Sequence, residues 1–118
     1  MYPMNDDLRQ AASMMSAGQY FEAASAFRAI YQSQPDHAAM AASQVGAALF
    51  FLRDFKDAIA WYQEAGRLGF DARMIQDNIQ EAQQAMNQPY TPNVGDVVLF
   101  DNGQLMRFAE NGTWQPLR

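Results

Sequence analysis

Gly18-Gln19-Tyr20-Phe21-Glu22-Ala23 and Arg53-Asp54-Phe55-Lys56-Asp57-Ala58 lie 35 residues apart and share one pattern. Each opens on turn-forming chemistry, reaches an aromatic at its third position and places an alanine three residues later. The same offset pairs Met14 with Leu49, Ala11 with Gly46, Phe27 with Tyr62 and Ile30 with Ala65. Small and aromatic positions that return at this period are the mark of stacked helix pairs. The small residues let two helices approach closely, and the aromatics fill the space between pairs.

Punctuation around the two blocks divides the chain into helices. Asn5 is placed to cap a first helix, with Asp6 and Asp7 in its opening turn where acids suit the dipole. Gly18 ends it, since glycine takes a left-handed backbone without strain. A second helix is expected over 20–33, stopped by Pro35. Asp36 is read as the cap of a third, 37–52. Asp54 caps a fourth, with Asp57 as a weak capping-box partner, and Gly69 ends it. Asp71 caps a fifth that runs to about residue 87, before Pro89. Such short connections make neighbouring helices antiparallel.

At these residues the chain resembles the tetratricopeptide repeat family. Ala11, Tyr20, Ala23, Phe27 and Pro35 match the pattern in a first repeat, and Gly46, Phe55, Ala58, Tyr62 and Ala65 match it in a second. The chain departs from it at Ile30, where a small residue is usual. It also departs at Asp7 and Ala42, which replace a large aromatic, and at Phe70, which replaces the second proline. The resemblance spans about residues 4–87. It implies a right-handed solenoid of helical hairpins, with the fifth helix (Ile75, Ile79, Ala82 and Met86 on one stripe) as a solvating cap.

Composition narrows the function. There is no cysteine, which removes disulfides, iron–sulfur sites and thiol nucleophiles. His37 is the single histidine and follows Asp36, without neighbours at ligand spacing. No phosphate-binding glycine loop and no nucleophile elbow occur. We therefore expect no catalytic residues, no metal and no cofactor. Eight bases against thirteen acids give a net charge of −5, which disfavours nucleic acid. The acidic start Asn5-Asp6-Asp7 is unlike a secretion signal, and the apolar run 45–52 is too short to span a bilayer. The expectation is a cytoplasmic protein with no membrane partner.

Beyond residue 88 the composition changes. Pro89, Pro92, Gly95, Gly103, Gly112 and Pro116 punctuate β-branched and aromatic residues. We read 1–87 as helical, 88–94 as a linker and 95–118 as a small antiparallel three-stranded meander. The two Asn-Gly pairs, 102–103 and 111–112, mark its turns. With two-residue loops, Phe100 pairs with Leu105, Val98 with Arg107 and Ala109 with Trp114. One face then carries Val98, Phe100, Leu105, Trp114 and Pro116, and the other Val97, Leu99, Met106, Phe108 and Leu117. A three-residue Asp-Asn-Gly turn with a bulge shifts this pairing. A sheet apolar on both faces suggests that one packs on the helices. The other would meet a partner or a second copy, through Phe100, Leu105, Arg107, Phe108 and Trp114.

The family resemblance also implies a groove lined by the first helix of each pair. By position its residues are Leu8, Ala12 and Met15, then Met40, Ser43, Ala47, Phe50 and Phe51, then Gln76, Gln80 and Gln83. Methionine in such a groove gives adaptability toward apolar anchors. The lysine and asparagine that grip a peptide carboxylate in some members are replaced by Leu8, Ala12, Ser43 and Ala47. The function expected is a non-catalytic scaffold that binds a peptide or partner protein. The stretch 27–68 is also similar to class II type III secretion chaperones, which makes a small secretion chaperone the alternative. A homo-oligomeric assembly module is a third possibility.

Overall fold

Five helices followed by three short strands account for the architecture of residues 5–117, which are the residues described by the computed structural model. The helices are α1 (Asp6–Ser16), α2 (Tyr20–Ser33), α3 (Ala38–Phe51), α4 (Phe55–Arg67) and α5 (Ala72–Met86). They pack in chain order, each on the next. The overall extents, 50 × 29 × 23 Å, describe an elongated molecule.

The helix starts follow from capping chemistry. Asn5 Oδ1 accepts the Leu8 N–H at 2.9 Å. Asp71 Oδ1 accepts from Arg73 and Met74 at 2.9 and 3.1 Å. Asp54 accepts a longer bond, 3.4 Å, from Asp57. Each satisfies donors that the first helical turn leaves without a partner. Asp36 does not play this role. Pro35, with its φ already fixed, starts a 3₁₀ turn over Pro35–His37, so Asp36 lies inside a turn and α3 begins at Ala38 with no side-chain cap.

Burial separates the helices by role. Around α3, Ala41, Ala42, Ser43, Val45, Gly46, Ala48 and Leu49 are all buried, because α2 and α4 cover it from two sides. The approach is tight at Gly46, where an added Cβ would sit 2.7 Å from two Tyr62 ring carbons and 3.1 Å from the Ala58 carbonyl oxygen. In α5 only Ile75 and Ala82 are buried, so the helix presents one stripe inward and solvates the rest. Phe27, Ile30, Leu49, Leu52 and Tyr62 supply the large side chains of the core.

The strands β1 (Val97–Leu99), β2 (Leu105–Phe108) and β3 (Trp114–Pro116) form an antiparallel sheet in the order β1-β2-β3. Its register is one residue away from the two-residue-loop expectation. Val97 faces Arg107, Val98 faces Met106 and Leu99 faces Leu105, while Phe108 faces Trp114 and Met106 faces Pro116. Each turn has three residues, closed by Phe100 N–H to Gln104 O and Ala109 N–H to Thr113 O. Only the glycines, Gly103 (φ 84°) and Gly112 (φ 81°), enter the left-handed region. The preceding asparagines stay out of it and instead accept the Gln104 and Thr113 N–H groups, which stabilises the longer turn.

The register shift re-sorts the faces. Leu105 and Arg107 now share a side with Val97 and Leu99, and Met106 and Phe108 share the other with Val98, Phe100, Trp114 and Pro116. Val97, Leu99 and Leu105 pack against the helical core, and the Leu99 N–H donates to the Leu52 carbonyl at the end of α3 (2.9 Å).

Candidate functional site

The α1–α2 and α3–α4 turns lie at the same end of the helical stack, and the sheet covers them partly. Between them is a cleft of about 560 Å³, within the range of ligand and peptide pockets. Tyr20, Phe21 and Glu22 line it from the start of α2, and Phe50, Phe51, Arg53 and Phe55 from the α3–α4 turn. Val97, Leu105 and Leu117 line it from the sheet.

Aromatic geometry dominates this cleft. Tyr20 and Phe51 stack with ring centroids 4.7 Å apart and planes 18° from parallel. Phe50 meets the edges of Phe51 and Phe55 at 5.7 and 5.4 Å. Phe51 keeps 52% of its surface exposed. A large apolar ring so exposed, beside other aromatics, is the kind of patch that binding surfaces show.

Arg53 forms one wall. Its φ of 61° is the single left-handed value at a non-glycine among the described residues. For a bulky side chain that conformation is strained, and the surroundings must hold it. Its guanidinium lies 3.7 Å from the centre of the Tyr90 ring and 4.9 Å from that of Phe55, a cation sandwiched by two aromatics. The Tyr90 hydroxyl donates to Asp96 Oδ2 at 2.7 Å, and the same oxygen accepts the Asn93 N–H at 2.9 Å. Desolvation, then the bond to Asp96, pushes the Tyr90 hydroxyl up to about 12. Asp96 is held below the usual carboxylate range by the Asn93 amide first, then by Tyr90 and Arg53. The residue 88–94 segment is thus fastened to the helices at a point of charge.

Of the residues predicted for the groove, Phe50 and Phe51 line the cleft. Leu8 and Ser43 are buried in the helical stack. Met15, Met40 and Phe50 are half-buried against the core, and Ala12 and Ala47 are half-buried. Gln76, Gln80 and Gln83 are exposed along α5. The sequence reading missed Tyr20, Phe21, Arg53, Phe55 and Tyr90. Tyr20 and Phe55 were assigned to packing as repeat positions, yet their clustering with Phe50 and Phe51 at the turns was a usable signal. Arg53 gave none, because cation stacking on Tyr90 depends on where a distant linker falls.

The predicted tail residues divide by face. Phe100, Phe108 and Trp114 cluster edge-to-face on the outward side, with Trp114 5.3 Å from Phe100 and 5.0 Å from Phe108. Leu105 packs inward, and Arg107 lies exposed on the same side of the sheet as Leu105. Near this sheet, Asp54, Lys56, Asp57 and Asp101 line a smaller cavity of about 260 Å³ with Phe100. Desolvation, then hydrogen bonding and repulsion from Asp57, raises the Asp54 carboxyl to about 6. His37 is half-buried at the end of the 3₁₀ turn, and no group of three or more His, Cys, Asp or Glu is placed to hold a metal among the described residues. No helix among the described residues is long and apolar enough to cross a membrane. The chain matches no family model, no curated protein and no solved structure.

Proposed function

We propose that this chain is a non-catalytic protein-interaction module whose helices follow the right-handed tetratricopeptide plan. It takes an apolar side chain of a partner peptide into the cleft beside Phe51. The observation that supports the reading best is the Tyr20–Phe51 stack, with Phe51 exposed, on a cleft of about 560 Å³. Rigid rings give contact area with little ordering cost, since each has only two side-chain torsions to fix. The aromatic wall supplies the apolar contact, and Arg53 and Glu22 supply polar ends to orient a backbone or a charged flank. The peptide groove of the repeat family is thereby reduced to the end nearest the hairpin turns, where Phe50 and Phe51 already lay in the sequence-based expectation.

Selection of a random peptide library on the immobilised full chain tests this. Phe51→Glu is the matched control, since an exposed position tolerates the change with the fold intact. Peptides sharing an apolar anchor should be enriched on the wild type and lost on Phe51→Glu. Enrichment that is equal on both proteins, with both folded by circular dichroism, removes the cleft from the interaction.

A further inference from the structure

The outward face of the sheet is a second surface, independent of the cleft. The corrected register puts Val98, Phe100, Met106, Phe108, Trp114 and Pro116 on it. Within the strands no polar side chain interrupts them, although a sheet facing solvent ordinarily alternates with polar residues on its outer face; Asp96, opposite Phe108, and Gln104, opposite Phe100, fall on this side only at its ends. The register expected from two-residue loops conceals this surface by dividing those side chains between two faces.

The charges beside this face have one dominant sign. Asp54, Asp57 and Asp101 line a cavity with Phe100, and Asp54 and Asp101 also line one with Val98. Lys56 is among them, and Arg53 lines the cavity beside Val98 with its guanidinium held between Tyr90 and Phe55. Glu110 occupies the β2–β3 turn, next to the Phe108–Trp114 pair. An apolar centre with an acidic margin is complementary to an apolar stripe flanked by bases. Charge and size decide between occupants. Three strands of this length offer a face about 10 Å wide and about 14 Å long. Two copies would bring their acidic margins together, which disfavours self-pairing through this face. A single helix, about 10 Å in diameter and about three turns long, matches the face.

We infer that the outward face of the β-sheet docks a basic amphipathic helix of a partner protein. Leucine-like side chains of that helix would lie over Phe108, Trp114 and Met106, with lysine or arginine reaching Asp57 and Asp101.

The test uses the full chain and a dye-labelled synthetic peptide of about 14 residues, leucine on one helical face and lysine on the other. A second peptide has glutamate in place of lysine. Fluorescence anisotropy should show binding of the lysine peptide, weakening with added salt, and none of the glutamate peptide. Asp57→Lys with Asp101→Lys changes exposed side chains only and should weaken binding about ten-fold or more. Phe108→Ser should abolish it, while Phe51→Glu should leave it unchanged, which separates this face from the cleft. Should Phe108→Ser lose the sheet by circular dichroism, Met106→Ser gives the same test at a position without an aromatic partner. Equal affinity for both peptides, or equal affinity in the double-lysine variant, overturns the inference. A mass of two chains by light scattering that Met106→Ser reduces to one also overturns it, because a second copy then occupies the face.

Discussion

Gly46→Ala adds one carbon at a tight contact between α3 and α4, and the outcome is a competition between two terms. Alanine is a better helix former than glycine by about 1 kcal/mol, so an unobstructed exchange stabilises. At Gly46 the new Cβ meets two Tyr62 ring carbons at 2.7 Å and the Ala58 carbonyl oxygen at 3.1 Å. Carbon atoms prefer about 3.5–4.0 Å, and the Tyr62 ring, only 4% exposed, has little space to retreat into. Overpacking of this kind costs about 1–3 kcal/mol, and contact with both a held ring and a backbone oxygen puts Gly46 near the upper end. The net expectation is a loss of about 2 kcal/mol, or a melting temperature about 8 °C lower. Gly66→Ala is the internal control. Its Cβ would meet Ile75 side-chain carbons at 3.5 and 3.9 Å, an ordinary contact, so the helix term wins and stability rises by about 0.5–1 kcal/mol. Urea unfolding followed by far-ultraviolet circular dichroism measures both. Tyr62→Leu combined with Gly46→Ala should recover part of the steric loss, a coupling that a double-mutant cycle reads directly. If Gly46→Ala is as stable as the wild type, or both glycines shift the same way, the close crossing of α3 and α4 is wrong.

Three further outcomes follow from other parts of the fold. Tyr90→Ala removes the ring over Arg53 and should weaken attachment of the 88–94 segment by about 1 kcal/mol, read as faster amide exchange at Leu99 with helical amides unchanged. Asn5→Ala should cost about 1 kcal/mol by leaving the Leu8 amide without its 2.9 Å partner, measured by urea unfolding. The Asp54 carboxyl, raised to about 6 in the fold from 3.8, favours the native state most when protonated. Its contribution is therefore fully present below about pH 4 and is lost as pH rises through 6. Allowing for its partial exposure, the change is about 1 kcal/mol. Stability measured from pH 4 to 7 should flatten in Asp54→Asn, and an unchanged slope would remove Asp54 as the source.

The helical part was legible because its signals are local. Asn5, Asp54 and Asp71 cap as their side chains dictate, and Gly18 and Gly69 end helices in the left-handed region (φ 77° and 97°). Asp36 misled because the same residue types serve caps and turns, and Pro35 settled the competition in favour of a 3₁₀ turn. In the tail the existence and order of strands could be read, yet the register could not. Asn-Gly fits both two- and three-residue loops, and one residue of loop length separates Leu105 from Phe100 and Trp114 and puts Met106 and Phe108 with them instead. The candidate cleft was half legible. Phe50 and Phe51 were reachable through the repeat resemblance, whereas Arg53, Tyr90 and Leu105 meet there only after the linker and sheet have folded back onto α3.

The bond from the Leu99 amide to the Leu52 carbonyl joins residues far apart in a chain whose helices otherwise touch their sequence neighbours. Contacts of short sequence separation form quickly, and distant ones wait for a larger loop to close. The helical hairpins should therefore assemble first, with the meander closing onto them as a separate, later kinetic event. During synthesis the same order is imposed by direction, since residues 5–86 leave the ribosome before the strands exist. For that interval the carbonyl of Leu52 and the apolar end of α3 face solvent without the sheet. A nascent chain that has emerged from the ribosome only to about residue 90 is consequently the species in which this end of the molecule is most open to chaperones and proteases.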